Sequence, residues 1–286
     1  MDNSIHRFLQ HLQSEERAAE NTLLAYSTDL EQFQRVVKTQ SNNDDLIAAL
    51  TEGSIRDYAA WLNQQGYRPA TVSRKMAAVR SFLSYLGAST AIPTRRLQKL
   101  LNAPPSRQEK PLTLSRRELN SLIAAPLEGS TPGALRDAAI LNLLYETAFR
   151  AHEIVRLQLS DLGPEGRTIS RPGFSDERLQ LERSSEILKE YLQNGRPHFV
   201  KHAGETRLFL NQRGKGLSRQ GLWLVVKRWA EAAGLNSDLS PQTLRHTRAE
   251  HLLGEGIKRS EVQRLLGLSS PNALRIHKTL DERDEN

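Results

Sequence analysis

The sequence predicts a mainly α-helical protein with one small β-hairpin, divided into two domains. Apolar residues recur at helical spacing through the first 40 residues, and again over 51–64 and 70–86. Prolines and basic residues gather between 87 and 114, which indicates a linker. Beyond it most segments are again helical, and only 169–181 has the short, Gly- and Pro-punctuated pattern of a hairpin. We therefore predict domains at 1–88 and 113–286, joined by a basic, Pro-containing linker at 89–112.

Four helices are predicted before residue 88. Two lie within the first 40 residues, before a loop at 41–45 with the sequence SNNDD. A third spans 51–64, and Gly66 and Pro69 separate it from a fourth at 70–86, because Gly suits a helix end and Pro a helix start. Apolar residues form a periodic stripe along this fourth helix: Val72, Met76, Val79, Leu83 and Leu86.

The second domain is predicted to contain helices on both sides of the hairpin. A short strand is expected at 207–211, where the sequence reads RLFLN. The predicted helices are 115–125, 134–149, 185–194, 218–233, 243–253, 258–266 and 272–280.

The composition limits the classes of function. The chain has 286 residues, 38% of them hydrophobic, and 40 Lys and Arg against 33 Asp and Glu, for a net charge of +7. This balance points to a polyanionic partner. The chain has no cysteine, which excludes disulfides, thiol catalysis and Cys-ligated zinc. The N-terminus lacks an apolar signal region, and the longest apolar stretch, 138–145, is too short to cross a bilayer, so we expect a soluble cytoplasmic protein without membrane contact.

Positive charge is concentrated around the fourth helix and the linker. Between residues 55 and 107 there are nine Lys or Arg and one acid, Asp57, a net of +8. A solvated helix face usually mixes both signs, so this density favours a phosphate-contacting surface over a merely solvated one. The candidate contacts are Thr71, Ser73, Arg74, Lys75 and Arg80 on the helix, and Arg95 and Arg96 in the linker.

Several stretches together resemble one protein family. RDAAILNLLYETAFRAHEIVRLQLSDL (136–162) and PQTLRHTRAEHLLGEGIKRSEVQRLLGLSS (241–270) are similar to the two signature segments of tyrosine recombinases, the phage-integrase and Xer-type family. ENTLLAYSTDLEQF (20–33) and YRPATVSRKMAAVRSFLSYL (67–86) resemble its core-binding domain. The segment LFLNQRGKGLSRQGLWLVVKRWAEAAGL (208–235) matches the stretch between the signatures. The resemblance covers nearly the whole chain in the family's order.

The resemblance implies a fold and a reaction. Residues 1–88 would form a four-helix, SAM-like core-binding domain and 113–286 a mixed, mostly α catalytic-type domain, and the two would clamp duplex DNA. In the family a tyrosine attacks the scissile phosphate, two arginines hold its oxygens, a hairpin lysine protonates the leaving oxygen, and two His-type residues assist. No metal or other cofactor is implied. The fourth helix would enter the major groove, and Lys215 and Arg219 in GKGLSRQG would approach DNA.

The two arginine positions match the family pattern. Arg150 occupies the first, in R-x-x-E spacing with Glu153, and Arg245 the second, followed by His246. A guanidinium matches two phosphate oxygens in a way that lysine cannot, so the sequence keeps the means to hold a phosphate.

The proton-transfer and nucleophile positions depart from the pattern. Gln242 and Leu268 stand where the family has its two His-type residues, and the nucleophile position is His277. The hairpin segment SRPGFSDER (170–178) has no lysine, and its Arg171 is a poor general acid because a guanidinium does not deprotonate near neutral pH. No tyrosine follows Tyr191, so none can replace the nucleophile from a shifted position.

The sequence therefore favours a double-stranded-DNA-binding protein that has lost strand cleavage. Histidine can attack phosphodiesters in principle, so an active recombinase using His277 is the first alternative. The second is a non-catalytic subunit that self-associates or modulates an intact tyrosine recombinase.

Overall fold

The computed structural model describes residues 2–16, 18, 20–41, 43–89, 94–101, 110–129, 131–172 and 174–268. The chain forms two compact units, Met1–Gln108 and Glu109–Asn286. The predicted helix at 272–280, with His277, lies outside the described residues. None of the described helices is long and apolar enough to span a membrane.

The first unit is helical throughout its described elements. Thr51 begins its third helix, where its hydroxyl accepts the Ser54 N–H and the Ser54 hydroxyl accepts the Thr51 N–H, so that two orphan donors are satisfied. The core includes Phe8, Phe33 and Tyr58, all inaccessible to solvent or nearly so. The helices are α1 (Asn3–Ser14), α2 (Glu20–Ser41), α3 (Glu52–Gln64), α4 (Pro69–Ser89) and α5 (Thr94–Leu100).

The four predicted helices of this unit are confirmed, but the linker contributes more to it than expected. Leu97 and Leu101 are buried in the same hydrophobic core as α1–α4. Helix α5 packs against α3 and α4 and belongs to the first compact unit. The proline pattern indicated a linker, but these two apolar residues fix its helical part to the domain.

The second unit is mostly helical, with one two-stranded antiparallel sheet among the described residues. The predicted hairpin is confirmed as β1 (Thr168–Arg171) and β2 (Phe174–Gln180), with an irregular register between Ser170 and Arg171. The helices are α6 (Arg116–Ala124), α7 (Pro132–Thr147), α8 (Ala151–Arg156), α9 (Ser184–Glu190), α10 (Arg219–Ala232), α11 (Pro241–Gly254) and α12 (Arg259–Leu266).

Two local predictions for this unit differ from the structure. The predicted strand at 207–211 forms only isolated bridges, Gln158 with Arg207 and Leu210 with Gly216. Its apolar residues Leu208, Phe209 and Leu210 are buried in the core, so the apolar run reflects burial and not strand pairing. The short helix α8 was not predicted, because six residues are too few for the helical period to be visible in the sequence.

Candidate functional site

The end of α7 positions Arg150, the predicted first arginine of the site. Ala148 adopts a left-handed conformation (φ 50°), which is uncommon for a residue other than glycine. The Thr147 hydroxyl accepts the Phe149 N–H at 3.2 Å and stabilises this turn. The chain then enters α8 at Arg150, whose backbone N–H donates to the Glu153 carboxylate at 2.6 Å. Arg150 therefore lies at the start of α8, with its side chain partly exposed.

Two backbone carbonyls hold the guanidinium of Arg245. It lies on α11, is 4% exposed, and its guanidinium donates to the carbonyl oxygens of Ala148 and Leu266, both at 2.5 Å. The left-handed turn at Ala148 thus supplies one of its acceptors. Burial, together with the charge of Arg150, lowers the pKa of Arg245 to about 10. This pKa is still high enough to keep the side chain charged near neutral pH.

Arg171, on the hairpin strand β1, directs its side chain toward Glu153. One of its terminal nitrogens lies 2.8 Å from each Glu153 carboxylate oxygen, and the other donates to the Leu265 carbonyl at 2.5 Å. Its guanidinium lies over the Phe149 ring, 4.6 Å from the centroid. Gly267 ends α12 at φ 56°, and a Cβ there would lie only 3.2 Å from the Arg171 guanidinium carbon. Glycine at 267 therefore favours both the turn and this close approach.

Glu153 pairs with Arg150 and Arg171, and its charge also acts on the buried Arg245. We call these four residues the arginine cluster. Arg150 also donates to the Gly267 carbonyl at 3.2 Å and lies 3.4 Å from Glu153. Burial raises the pKa of Glu153, but the Arg150 N–H and the hydrogen bond and charge of Arg171 outweigh burial and lower the pKa overall. Three positive charges against one negative leave a net charge of +2. An anion such as a phosphate is the ligand that this arrangement favours.

Gln242 and Leu268, two other predicted family positions that the structure describes, add no charged group to the cluster. The Gln242 side-chain amide lies 3.1 Å from Nε2 of His246, one turn further along α11. Leu268 packs against the small hydrophobic cluster of Ala148, Ala249, Val262 and Leu266. Its side chain therefore makes an apolar contact at the position where the family resemblance predicts a hydrogen-bonding residue.

The predicted contact face of α4 differs from expectation at one residue. Lys75 is 6% exposed, and its ammonium lies 2.9 Å from the Asp29 carboxylate and 2.6 Å from the Gln32 side-chain oxygen. Arg74 also pairs with Asp29 but is exposed, while Thr71, Ser73 and Arg80 are partly buried. The prediction of Lys75 as a solvent-facing contact was therefore wrong, because the charge of Asp29 on α2 draws it into the domain.

The remaining candidate DNA contacts are exposed. Arg95 and Arg96 lie on α5 of the first unit, and Lys215 and Arg219 on either side of the start of α10. Among the described residues, no group of three or more His, Asp or Glu could hold a metal ion.

Arg171 and Glu153 are the members of the site that the candidate residues left out. Glu153 was visible in the R-x-x-E spacing, and Arg171 lay on the predicted hairpin. Their pairing depends on a contact between two different elements, which the sequence does not show.

Family models match most of the chain. The model of the phage integrase family matches residues 113–283, and that of the phage integrase N-terminal SAM-like domain matches residues 5–89. Tyrosine recombinase XerC of Roseiflexus sp. (strain RS-1) is 34% identical over 282 residues, 97% of this chain and 89% of the relative. Tyrosine recombinase XerD of Listeria innocua is 32% identical over 285 residues, 97% of this chain and 94% of the relative.

Solved structures match the fold at lower identity. The XerH site-specific recombinase bound to palindromic difH substrate, a post-cleavage complex, has a TM-score of 0.70 at 20% identity, covering 98% of this chain and 92% of that one. A lambda integrase dimer bound to a COC′ core site has a TM-score of 0.67 at 16% identity, covering 100% of this chain and 97% of that one.

Proposed function

Because the chain belongs to the phage integrase family, we propose that it binds duplex DNA on a tyrosine-recombinase scaffold without cleaving it. The arginine cluster is the observation that carries the binding half of this proposal. Arg150 and Arg245 keep the family positions, and Arg171 adds a third guanidinium beside them. A backbone phosphate of DNA fits this net positive charge, and phosphate contacts supply most non-specific affinity for DNA.

The loss of cleavage is supported by what surrounds the cluster. The hairpin segment 170–178 has no lysine, and its Arg171 is paired with Glu153 and with the Leu265 carbonyl. Gln242 cannot titrate, and Leu268 cannot donate a hydrogen bond. General acid–base help is worth about 10²–10⁴-fold per group, so a nucleophile without these groups would be slow.

Two alternatives are tested beside this proposal. An active recombinase would use His277 as the nucleophile, with the two family arginines holding the phosphate. A partner subunit would bring the scaffold to an intact tyrosine recombinase, or to a second copy of the chain, without chemistry of its own.

The deciding experiment incubates the purified protein with sheared genomic DNA of its source organism and sequences the fragments retained under native conditions. The complexes are then denatured at alkaline pH, under which a phosphohistidine bond survives. We expect a reproducible set of fragments that is fully released on denaturation. The control is His277→Ala, which we expect to retain the same fragments with unchanged affinity.

Each other outcome selects an alternative. Fragments that stay attached to the wild-type protein after denaturation, but not to His277→Ala, would establish a covalent intermediate and the active recombinase. If no DNA is retained by either protein, the partner subunit becomes the better proposal, and co-purification with an intact tyrosine recombinase would test it.

A further inference from the structure

A cavity of about 440 Å³ opens beside the arginine cluster in the second unit. Its volume falls within the range of about 300–1,000 Å³ that is typical of ligand pockets. We call it the arginine pocket. It is lined by Arg150, His152, Glu153, Arg156, Gln158, Asp161, Pro172 and Arg207.

The two acids of this pocket are already engaged. Glu153 accepts from the Arg150 N–H and from Arg171. Asp161 accepts the backbone N–H of Gln158 at 2.8 Å. Arg171 offsets the charge of Glu153 from outside the lining, and the three arginines that line the cavity outweigh the remaining charge of Asp161.

Arg156 is the most available of those arginines. It is exposed, and among the described residues its side chain has no hydrogen-bond or ion-pair partner. Arg207 is placed beside it, because its guanidinium donates to the Arg156 backbone carbonyl at 3.1 Å. The Arg207 stem lies close to Gly216, where a Cβ would be 3.2 Å from its Cγ. A glycine at 216 thus makes room for Arg207 at the wall of the pocket.

The pKa of His152 is affected by the same concentration of positive charge around the pocket. Burial lowers the pKa of His152, and the charges of Arg150, Arg156 and Arg219 lower it further against the opposing effect of Glu153. The charge of Arg219, at the start of α10, therefore acts on the pocket, although Arg219 does not line it.

We propose that the arginine pocket binds a phosphate group through Arg156 and Arg207, separate from the phosphate held by the arginine cluster. This inference rests on the proposed DNA binding for its preferred ligand, a backbone phosphate next to the one at the cluster. Guanidinium groups bind phosphate oxygens through paired hydrogen bonds, and Arg150 lies at the boundary of both sites. A free phosphate-bearing small molecule would present the same chemistry.

The test compares Arg156→Gln with the wild-type protein. Affinity for a duplex of fixed length is measured over a range of salt concentrations, and thermal unfolding is measured with and without inorganic pyrophosphate. Loss of one phosphate contact should reduce the slope of log K against log[salt] by about 0.9. Arg183→Gln is the matched control, because it removes the same charge from an exposed arginine that lines a different cavity with Glu186 and Glu190. We expect the control to keep the wild-type slope.

The outcomes separate the two sources of phosphate and the two proposals. A reduced slope in Arg156→Gln alone assigns the pocket to the DNA backbone. An unchanged slope, with pyrophosphate stabilising the wild-type protein but not Arg156→Gln, assigns it to a free phosphate compound. If neither measurement separates Arg156→Gln from Arg183→Gln, the pocket does not bind phosphate. If the wild-type protein binds no DNA, the proposed function fails, and the pyrophosphate measurement alone decides on the pocket.

Discussion

Each unit of the protein contains a buried carboxylate that holds basic side chains, and the two clusters have different consequences. In the first unit Asp29 pairs with Arg74 and with Lys75, which lies 2.9 Å away. In the second unit Glu153 pairs with Arg150 and Arg171. Both carboxylates come from a helix and both receive two cations.

The two clusters differ in the positive charge that remains available to a ligand. Lys75 is buried, donates to Gln32, and lies over the Tyr67 ring, so its charge is used inside the domain. The cluster around Glu153 includes the additional charge of Arg245 and borders an open pocket. A count of basic residues on a helix therefore overestimates the charge available to DNA wherever a buried carboxylate lies on a neighbouring helix.

The largest expected effect is on the stability of the first unit when Asp29 is replaced. Asp29→Asn would leave Lys75 buried and charged without its counter-ion. Breaking a buried ion pair in this way costs about 3–5 kcal/mol, so we expect urea unfolding of the first unit at a much lower midpoint. Circular dichroism during a urea titration measures this midpoint.

Two further variants decide whether the ion pair is the cause. Asp57→Asn removes the same charge from an exposed position on α3 and should leave the midpoint unchanged. Asp29→Asn combined with Lys75→Met removes both buried charges and should recover much of the loss. If the double variant is as unstable as Asp29→Asn alone, the pair does not account for the effect.

A smaller loss is expected for Glu153→Gln, because Arg171 keeps its hydrogen bond to Leu265. Hydrogen bonds to charged groups contribute about 1.5–3 kcal/mol, and we expect a loss in this range. The folded-state pKa of Glu153 lies below its ordinary value of 4.5, so its contribution is present above about pH 4.5 and is lost as pH falls through the folded-state pKa.

The pH dependence isolates this carboxylate. Urea unfolding of the wild-type protein and Glu153→Gln should differ most above pH 4.5 and converge at lower pH. A constant difference across this range would show that the substitution acts through packing and not through the charge of Glu153.

The sequence predicted the elements of this fold better than the partners of its charged residues. The α4 stripe and the hairpin at 169–181 depend on local periodicity and turn residues, which neighbouring positions encode. Arg150 and Arg245 were selected as candidates because the family motifs surround them. Lys75 was misplaced because its counter-ion, Asp29, is 46 residues away on another helix.

Arg171 could not be assigned from the sequence for a related reason. Its inward direction accompanies an irregular register between Ser170 and Arg171, which strand alternation does not predict. Its acceptors on Glu153 and Leu265 come from two other parts of the unit. The hairpin was therefore predictable from the sequence, while the position of Arg171 in the site was not.

The smallest expected effect separates the two neighbouring cations of α4 by their roles in DNA binding. Arg74 is exposed, with 44% of its side chain accessible, so Arg74→Ala should weaken binding to a fixed duplex and reduce the salt slope by about 0.9. Lys75→Met should lower the stability of the first unit, yet at a temperature where the variant is folded it should keep the wild-type salt slope, because the buried ammonium does not reach a phosphate. If instead Lys75→Met reduces the salt slope while Arg74→Ala does not, Lys75 must leave Asp29 when DNA binds. Both carboxylate clusters would then supply positive charge to the DNA.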